Sequence, residues 1–261
     1  MEIQELLEIL AEHKKWVNSK GEHGQQADLS GAGLYGIELS KVDLQRAKMS
    51  SANLRGANFI NSNLAEADLS KSNLNRATFS GANLEKANME EANLQEAYVG
   101  GVNLIGVNLQ NAKLKNATLT GANLLNADLR GSNLQWANLQ EVNLSGANLE
   151  NANLSGANLQ KTDFLGANLM GVNFQNADLR EAKLLGASNL AEANFFGAKL
   201  DGTCLHGIKL DDKGIPWAQQ VEQHIKNQQG SQPEQAIEEK RPERRRRRDD
   251  AVENSRDIGR S

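Results

Sequence analysis

The chain has 261 residues, a formal net charge of -4 and 39% hydrophobic residues, of which so few are aromatic (4%) that a compact core built on large rings is excluded. Cys204 is the single cysteine, which excludes an intrachain disulfide and a cysteine-based metal cluster. The start, Met1-Glu2-Ile3-Gln4-Glu5, is acidic where a secretory signal is basic, and no apolar run approaches the ~18 residues of a membrane span. A soluble cytoplasmic protein is expected.

Ile3, Leu6, Leu7, Leu10 and Val17 fall at helical spacing, with Glu2, Glu5, Glu8, Glu12, Lys14 and Lys15 on other sides. This predicts an amphipathic helix within residues 1–26, stopped near Gly21, whose role is to cap the open end of the adjoining repeat segment.

From Ala27 to Leu210 a five-residue frame runs almost unbroken. Its centres are Leu29, Leu34, Leu39, Leu44, Met49, Leu54, Phe59 and every fifth residue to Leu184. Two before each centre stands Ala or another small residue, and one before it most often Asn or Asp. On an α-helix five residues advance about 500°, which scatters the centres around the circumference. On a flat strand an odd period puts alternate centres on opposite faces. A β-solenoid meets the pattern: a short extended segment points the centre and the residue two before it inward. The next two positions, rich in Gly, Ser and Asn, turn a corner. Phe59 and Phe79 lie 20 residues apart, as do Ile105 and Leu125, or Leu165 and Leu185, which favours four units per coil.

The frame slips once, by one residue within Ala187-Ser188-Asn189, and resumes at Leu190. After Leu210, Pro216 opens a second short helix with Trp217, Val221 and Ile225 on one side, a C-terminal cap or a dimerisation element within residues 211–229. Residues 230–261 are polar, charged and without apolar period, so a disordered tail is expected there.

The runs Ala27-Asp28-Leu29, Ala52-Asn53-Leu54, Ala67-Asp68-Leu69, Ala147-Asn148-Leu149 and Ala152-Asn153-Leu154 resemble the pentapeptide-repeat family, whose pattern is A-(D/N)-L-x-x. The resemblance implies an all-β fold, a right-handed quadrilateral β-helix. Here it would have about nine coils at a rise of roughly 4.8 Å, short helices at both ends and a disordered C-terminal tail. The leader is similar to the capping helix of some bacterial, especially cyanobacterial, members, although this one carries several Glu. The resemblance also implies the family's best-known activity, mimicry of DNA by an acidic rod that occupies gyrase or another topoisomerase. Against that, residues 27–210 hold 17 acids and 15 bases, and Lys86 interrupts the cluster of Glu85, Glu90, Glu91 and Glu96.

Other motifs carry less. Gly31-Ala32-Gly33-Leu34-Tyr35-Gly36 matches a dinucleotide fingerprint without its strand-turn-helix context, and Leu34 is a repeat centre. His13, His23, His206 and His224 lack metal-ligand spacing. With no nucleophile-base pair and no cofactor motif, a non-enzymatic protein is expected. Arg244, Arg245, Arg246, Arg247 and Arg248 form a candidate polyanion-binding run, flanked by Glu239, Glu243, Asp249 and Asp250. If four units make a coil, Ile105, Leu125, Leu165 and Leu185 stack as an outward apolar stripe with Ser145 in the gap. The expected function is therefore a protein-interaction scaffold, its partner another protein or a second copy of the chain. A DNA-mimicking topoisomerase modulator is the alternative, and nucleic acid is expected to bind at most weakly, through the tail.

Overall fold

The computed structural model describes residues 1–203. The last expected centres, the C-terminal helix within 211–229 and the arginine-rich tail lie outside the described residues.

Within the coils each unit pairs with the unit 20 residues on, in parallel: Asp28 with Lys48, Gly33 with Asn53, Glu38 with Asn58 and Asp43 with Asn63. Four units therefore make one coil. These pairs start four flat faces, called first to fourth here, each followed by a corner of the same number. The rings repeat the register: Phe59 stacks on Phe79 with centroids 5.0 Å apart, and Phe174 on Phe195 at 5.1 Å.

Period five is stable because most backbone N–H groups find an acceptor, as one unit illustrates. Asn138 donates to the Ala117 carbonyl in the coil before (2.9 Å), while Leu139 and Glu141 donate to Asn158 and Gln160 in the coil after (2.7 and 2.9 Å). Val142 closes the turn on Leu139 (3.2 Å). The remaining N–H, that of Gln140, is taken by the Asn138 side chain at 3.2 Å. The prevalence of Asn and Asp before each centre thus has a local cause: the side-chain oxygen serves a donor that no neighbouring coil reaches.

The same amides also join the coils. Asn63 Nδ2 donates to Asp43, Asn83 to Asn63 and Asn103 to Asn83, at 3.0, 3.2 and 2.9 Å. Donors point toward the N-terminal end, and three of these runs begin on anionic acceptors: Asp43, Glu38 beneath Asn58 and Asp68 beneath Asn88, whereas the run through Asn73 begins on the neutral Asn53. Inside, the centres and the small residues two before them form one continuous core, nearly all fully buried.

The second corner residue of each unit is left-handed, with φ between 54° and 68° from Gly31 to Gly186. Its side chain reaches over the coil above. A Cβ on Gly81, Gly131, Gly146 or Gly171 would strike the Oδ1 of the Asn 20 residues earlier. Many other residues hold the same φ at this position, so what glycine supplies at those sites is chiefly room for the Asn side chain beneath.

At the frame slip, Ser188 still pairs with Asn168, whereas Asn173 pairs with Asn194. The extra residue therefore lies between these pairs. Asn189 takes a left-handed φ of 59° and turns outward, which lets Leu190 fill the interior, and a 3-10 turn over Leu190–Glu192 restores the frame. Asn189 Nδ2 reaches Asn168 Oδ1 at 2.7 Å, standing in for the amide that Ser188 lacks.

Helix α1, Ile3–Asn18, covers the first coil. Its buried stripe is rotated from the one read in sequence. Leu6 is buried and Ile9 and Leu10 pack on the core, while Ile3 and Leu7 are 63% and 54% exposed. His13 is fully buried where sequence reading gave it no part. Its Nδ1 accepts the Ala27 N–H at 3.0 Å, so a neutral imidazole ties the helix to the start of the first coil. Nε2 makes no hydrogen bond of good geometry. Burial lowers the His13 pKa, with Asp43 and the Gln45 backbone opposing in part.

Leu139→Ala removes a fully buried centre and is expected to cost about 2–5 kcal/mol, read by denaturant unfolding. The cap should respond to pH through His13. Because folding depresses its pKa, the unfolded chain binds the proton first. The cap's stability is fully present above the ordinary imidazole pKa of about 6.5 and is lost as pH falls below it. Protection factors of α1 amides, corrected for intrinsic exchange, are expected to be lower at pH 5.5 than at pH 7.5, and His13→Gln should abolish that difference.

Candidate interaction surface

Among the described residues no group of three His, Cys, Asp or Glu is placed to hold a metal ion. Gly31 and Gly36 are left-handed corner residues and Gly33 a face position, with Leu34 buried between them, so the glycine motif serves the turns of the solenoid. A cleft of about 300 Å³ between the end of α1 and the first coils is lined by Trp16, Val17, Lys20, Gln45 and Arg46. No helix among the described residues is long and apolar enough to cross a membrane.

The structure brings Ile105, Leu125, Leu165 and Leu185 together in one column, the fourth corner. Backbone bonds there run from Lys86 to Ile105, Gly106 to Leu125, Asn126 to Ser145, Gly146 to Leu165 and Gly166 to Leu185, all between 2.8 and 3.1 Å. Exposure grows along the column: Ile105 and Leu125 are half-buried, while Leu165 and Leu185 are 47% and 42% exposed. Gly166 and Gly186 come directly after these leucines, and a Cβ on Gly166 would meet nothing within 4 Å. The corner is therefore bare of neighbouring side chains where the leucines are most exposed. Its only nearby charges on the fourth face are Asp163 and Lys183, paired at 3.8 Å. Earlier in the same column the chain is ionic instead, with Arg46 on Glu66 at 2.8 Å and Lys86 beside Glu85.

Of the clustered Glu85, Glu90, Glu91 and Glu96, all but Glu90 pair with cations, Glu85 with Lys86. Glu91 faces Lys71 and Glu96 bonds Arg76 one coil below, while Asp128 and Asp178 chelate Arg130 and Arg180. These pairs are exposed and add little stability. Their effect is to break any continuous negative face.

One exposed group escaped sequence reading. Trp136 occupies the left-handed corner position, at φ 58°, otherwise held by Gly, Asn or charged residues, and is 55% exposed. The departure from that column's composition was the available signal. Its indole lies over Gly156, where a Cβ would collide with the ring.

Comparison with known proteins accounts for this architecture. Pentapeptide repeats match in 8 copies, over residues 25–59, 37–76, 72–111, 108–146, 147–186 and 173–212. Among solved structures, the chain is 32% identical to HetL, a pentapeptide repeat protein involved in heterocyst differentiation regulation from the cyanobacterium Nostoc sp. strain PCC 7120. That similarity covers 80% of this chain and 95% of HetL, with a TM-score of 0.40. It is 38% identical to the pentapeptide repeat protein Rfr23 of the cyanobacterium Cyanothece 51142 over 40% of this chain and 88% of that one, with a TM-score of 0.36. QnrB1, a plasmid-mediated fluoroquinolone resistance protein, is 21% identical over 73% of this chain and 86% of its own, with a TM-score of 0.47. No curated protein sequence matches significantly. The chain belongs to the pentapeptide-repeat family, whose members fold as right-handed quadrilateral β-helices and are generally non-enzymatic structural or interaction proteins.

Proposed function

We propose that this protein is a non-enzymatic interaction scaffold that docks another protein, or a second copy of itself, through the fourth corner. The observation that carries the reading is the exposed pair Leu165 and Leu185, stacked in register beyond Leu125 and each succeeded by a glycine. Exposed leucines are ordinary singly, but an aligned pair on a bare edge of an otherwise amide-rich surface is a surface suited to burial. The corner gives a partner a straight apolar ridge with one weak ion pair at its side. HetL, similar over most of its length, is involved in the regulation of differentiation, which accords with a scaffold role.

The topoisomerase-modulator alternative has less behind it. It needs a sustained negative face, and cross-coil ion pairs set positive charge against Glu66, Glu91 and Glu96.

Leu165→Lys together with Leu185→Lys alters only outward side chains, so the melting temperature is expected to hold. Light scattering after size exclusion should show self-association lost, or affinity capture from the host should lose a partner the parent chain retains. Unchanged behaviour in both would remove the corner from the reading. In a gyrase supercoiling assay, inhibition is expected to be absent at high excess of the protein, and dose-dependent inhibition would reinstate the alternative.

A further inference from the structure

Charge is spread unevenly around the coils. Apart from one strip, every face and corner of the described coils is neutral or net negative. The exception is the second face with the second corner. There Arg55, Arg76, Lys113 and Lys115 stand against one carboxylate, Glu96, which Arg76 already holds at 2.9 Å. Arg55, Lys113 and Lys115 are exposed and form no ion pair among the described residues.

The same corner carries two of the exposed aromatic side chains, Tyr35 and Trp136. Arg55 lies over the Tyr35 ring, 5.8 Å from its centroid. Trp136 rests one side of its indole on Gly156 and leaves the ring half exposed. A bulky residue in left-handed backbone carries a local conformational cost. Here it is seated against a glycine that makes room for it, so the ring is presented to solvent in a fixed place. Between the two rings the column runs five coils, about 24 Å at roughly 4.8 Å each. Lys115 and Arg76 lie along that span and Lys113 beside it.

We infer that this edge binds single-stranded nucleic acid, with Arg55, Lys113 and Lys115 on backbone phosphates and bases stacked on Trp136 and Tyr35. Cations without carboxylate partners, interleaved with open aromatic faces along a line, are the chemistry by which single strands are held without sequence preference. The span accommodates a short segment, within the ~4–16 nucleotides that single-strand sites occupy. An acidic peptide matches the charge but offers no flat rings to stack, and a duplex hides its base faces from Trp136. The site is diagonal to the leucine corner and independent of it. It also differs from the tail, the place where the sequence alone put nucleic-acid binding.

The test uses the full-length chain with Arg244→Gln and Arg246→Gln, which breaks the arginine run and leaves residues 230–261 near neutral, and a fluorescein-labelled 15-nucleotide oligodeoxythymidine monitored by anisotropy. Each edge variant substitutes a residue already present in its own column: Trp136→Asn as at Asn116, Tyr35→Ser as at Ser155, Arg55→Gln and Lys115→Gln as at Gln135, and Lys113→Asn as at Asn133. Coil packing is thus retained, which circular dichroism checks. Trp136→Asn is expected to weaken binding about ten-fold. The triple cation variant should reduce the slope of log affinity against log salt by about two, from roughly 0.7 per phosphate. The proposal is overturned if the chain with the broken arginine run does not bind at low salt, if binding ignores the edge variants, or if a duplex or a polyglutamate peptide binds as tightly as the single strand.

Discussion

The solenoid depends on one donor in each unit. Four of the five backbone N–H groups in a pentapeptide are served by main-chain carbonyls, three in adjacent coils and one across the turn. In most units the fifth is served by the Asn or Asp side chain just before the centre, as Asn138 serves Gln140; units with Thr, Lys, Tyr or Gly there, such as those of Thr78 and Lys113, lack that bond. An unpaired amide on each turn of each coil would carry a repeated penalty, because stability in a solenoid is the sum of small identical contributions. The carboxamide also donates to the coil before it, so one residue type joins the turn to the stack. The resulting chains of amides have a direction, and the carboxylates of Asp43, Asp68 and Glu38 sit where that direction ends in an acceptor.

This double use of one side chain explains how much of the architecture was legible in the sequence. A period of five, an interior dominated by Leu, Phe and Ala, and rings 20 residues apart lead to four units per coil by counting alone. The leucine column was legible for the same reason: once the period is known, neighbours across coils can be read off by addition. What could not be read was anything set by a partner outside the repeat. His13 looks like a polar residue on a helix, and only the seat of α1 on the first coil shows it tied to the Ala27 amide. The rotation of the helix that exposes Ile3 and Leu7 belongs to the same fit. At the slip, counting located the extra residue to within a few positions, but the choice of Asn189 as the one turned outward rests on its tolerance of left-handed backbone and on its reach to Asn168.

The surface divides by corner more than by coil. Faces carry mostly amides already engaged along the ladder, so chemical variety is concentrated at the two turn positions of each unit. Two diagonal corners depart from the polar norm in opposite senses, one apolar and free of neighbouring side chains, the other cationic and aromatic. A scaffold with independent edges can hold two unlike molecules at once without their meeting, since the width of the coil lies between them.

The upward reach of the left-handed corner residue has a consequence for what such a surface can carry. A side chain enlarged there takes its space from the residue 20 positions later, as Trp136 takes it from Gly156 and Asn61 from Gly81. Charged residues escape this constraint by pairing with one another from coil to coil, as Arg46 does with Glu66 and Arg76 with Glu96. A large ring has no such outlet, so Trp136 is tied to the vacancy at Gly156, and enlarging Gly156 would displace it.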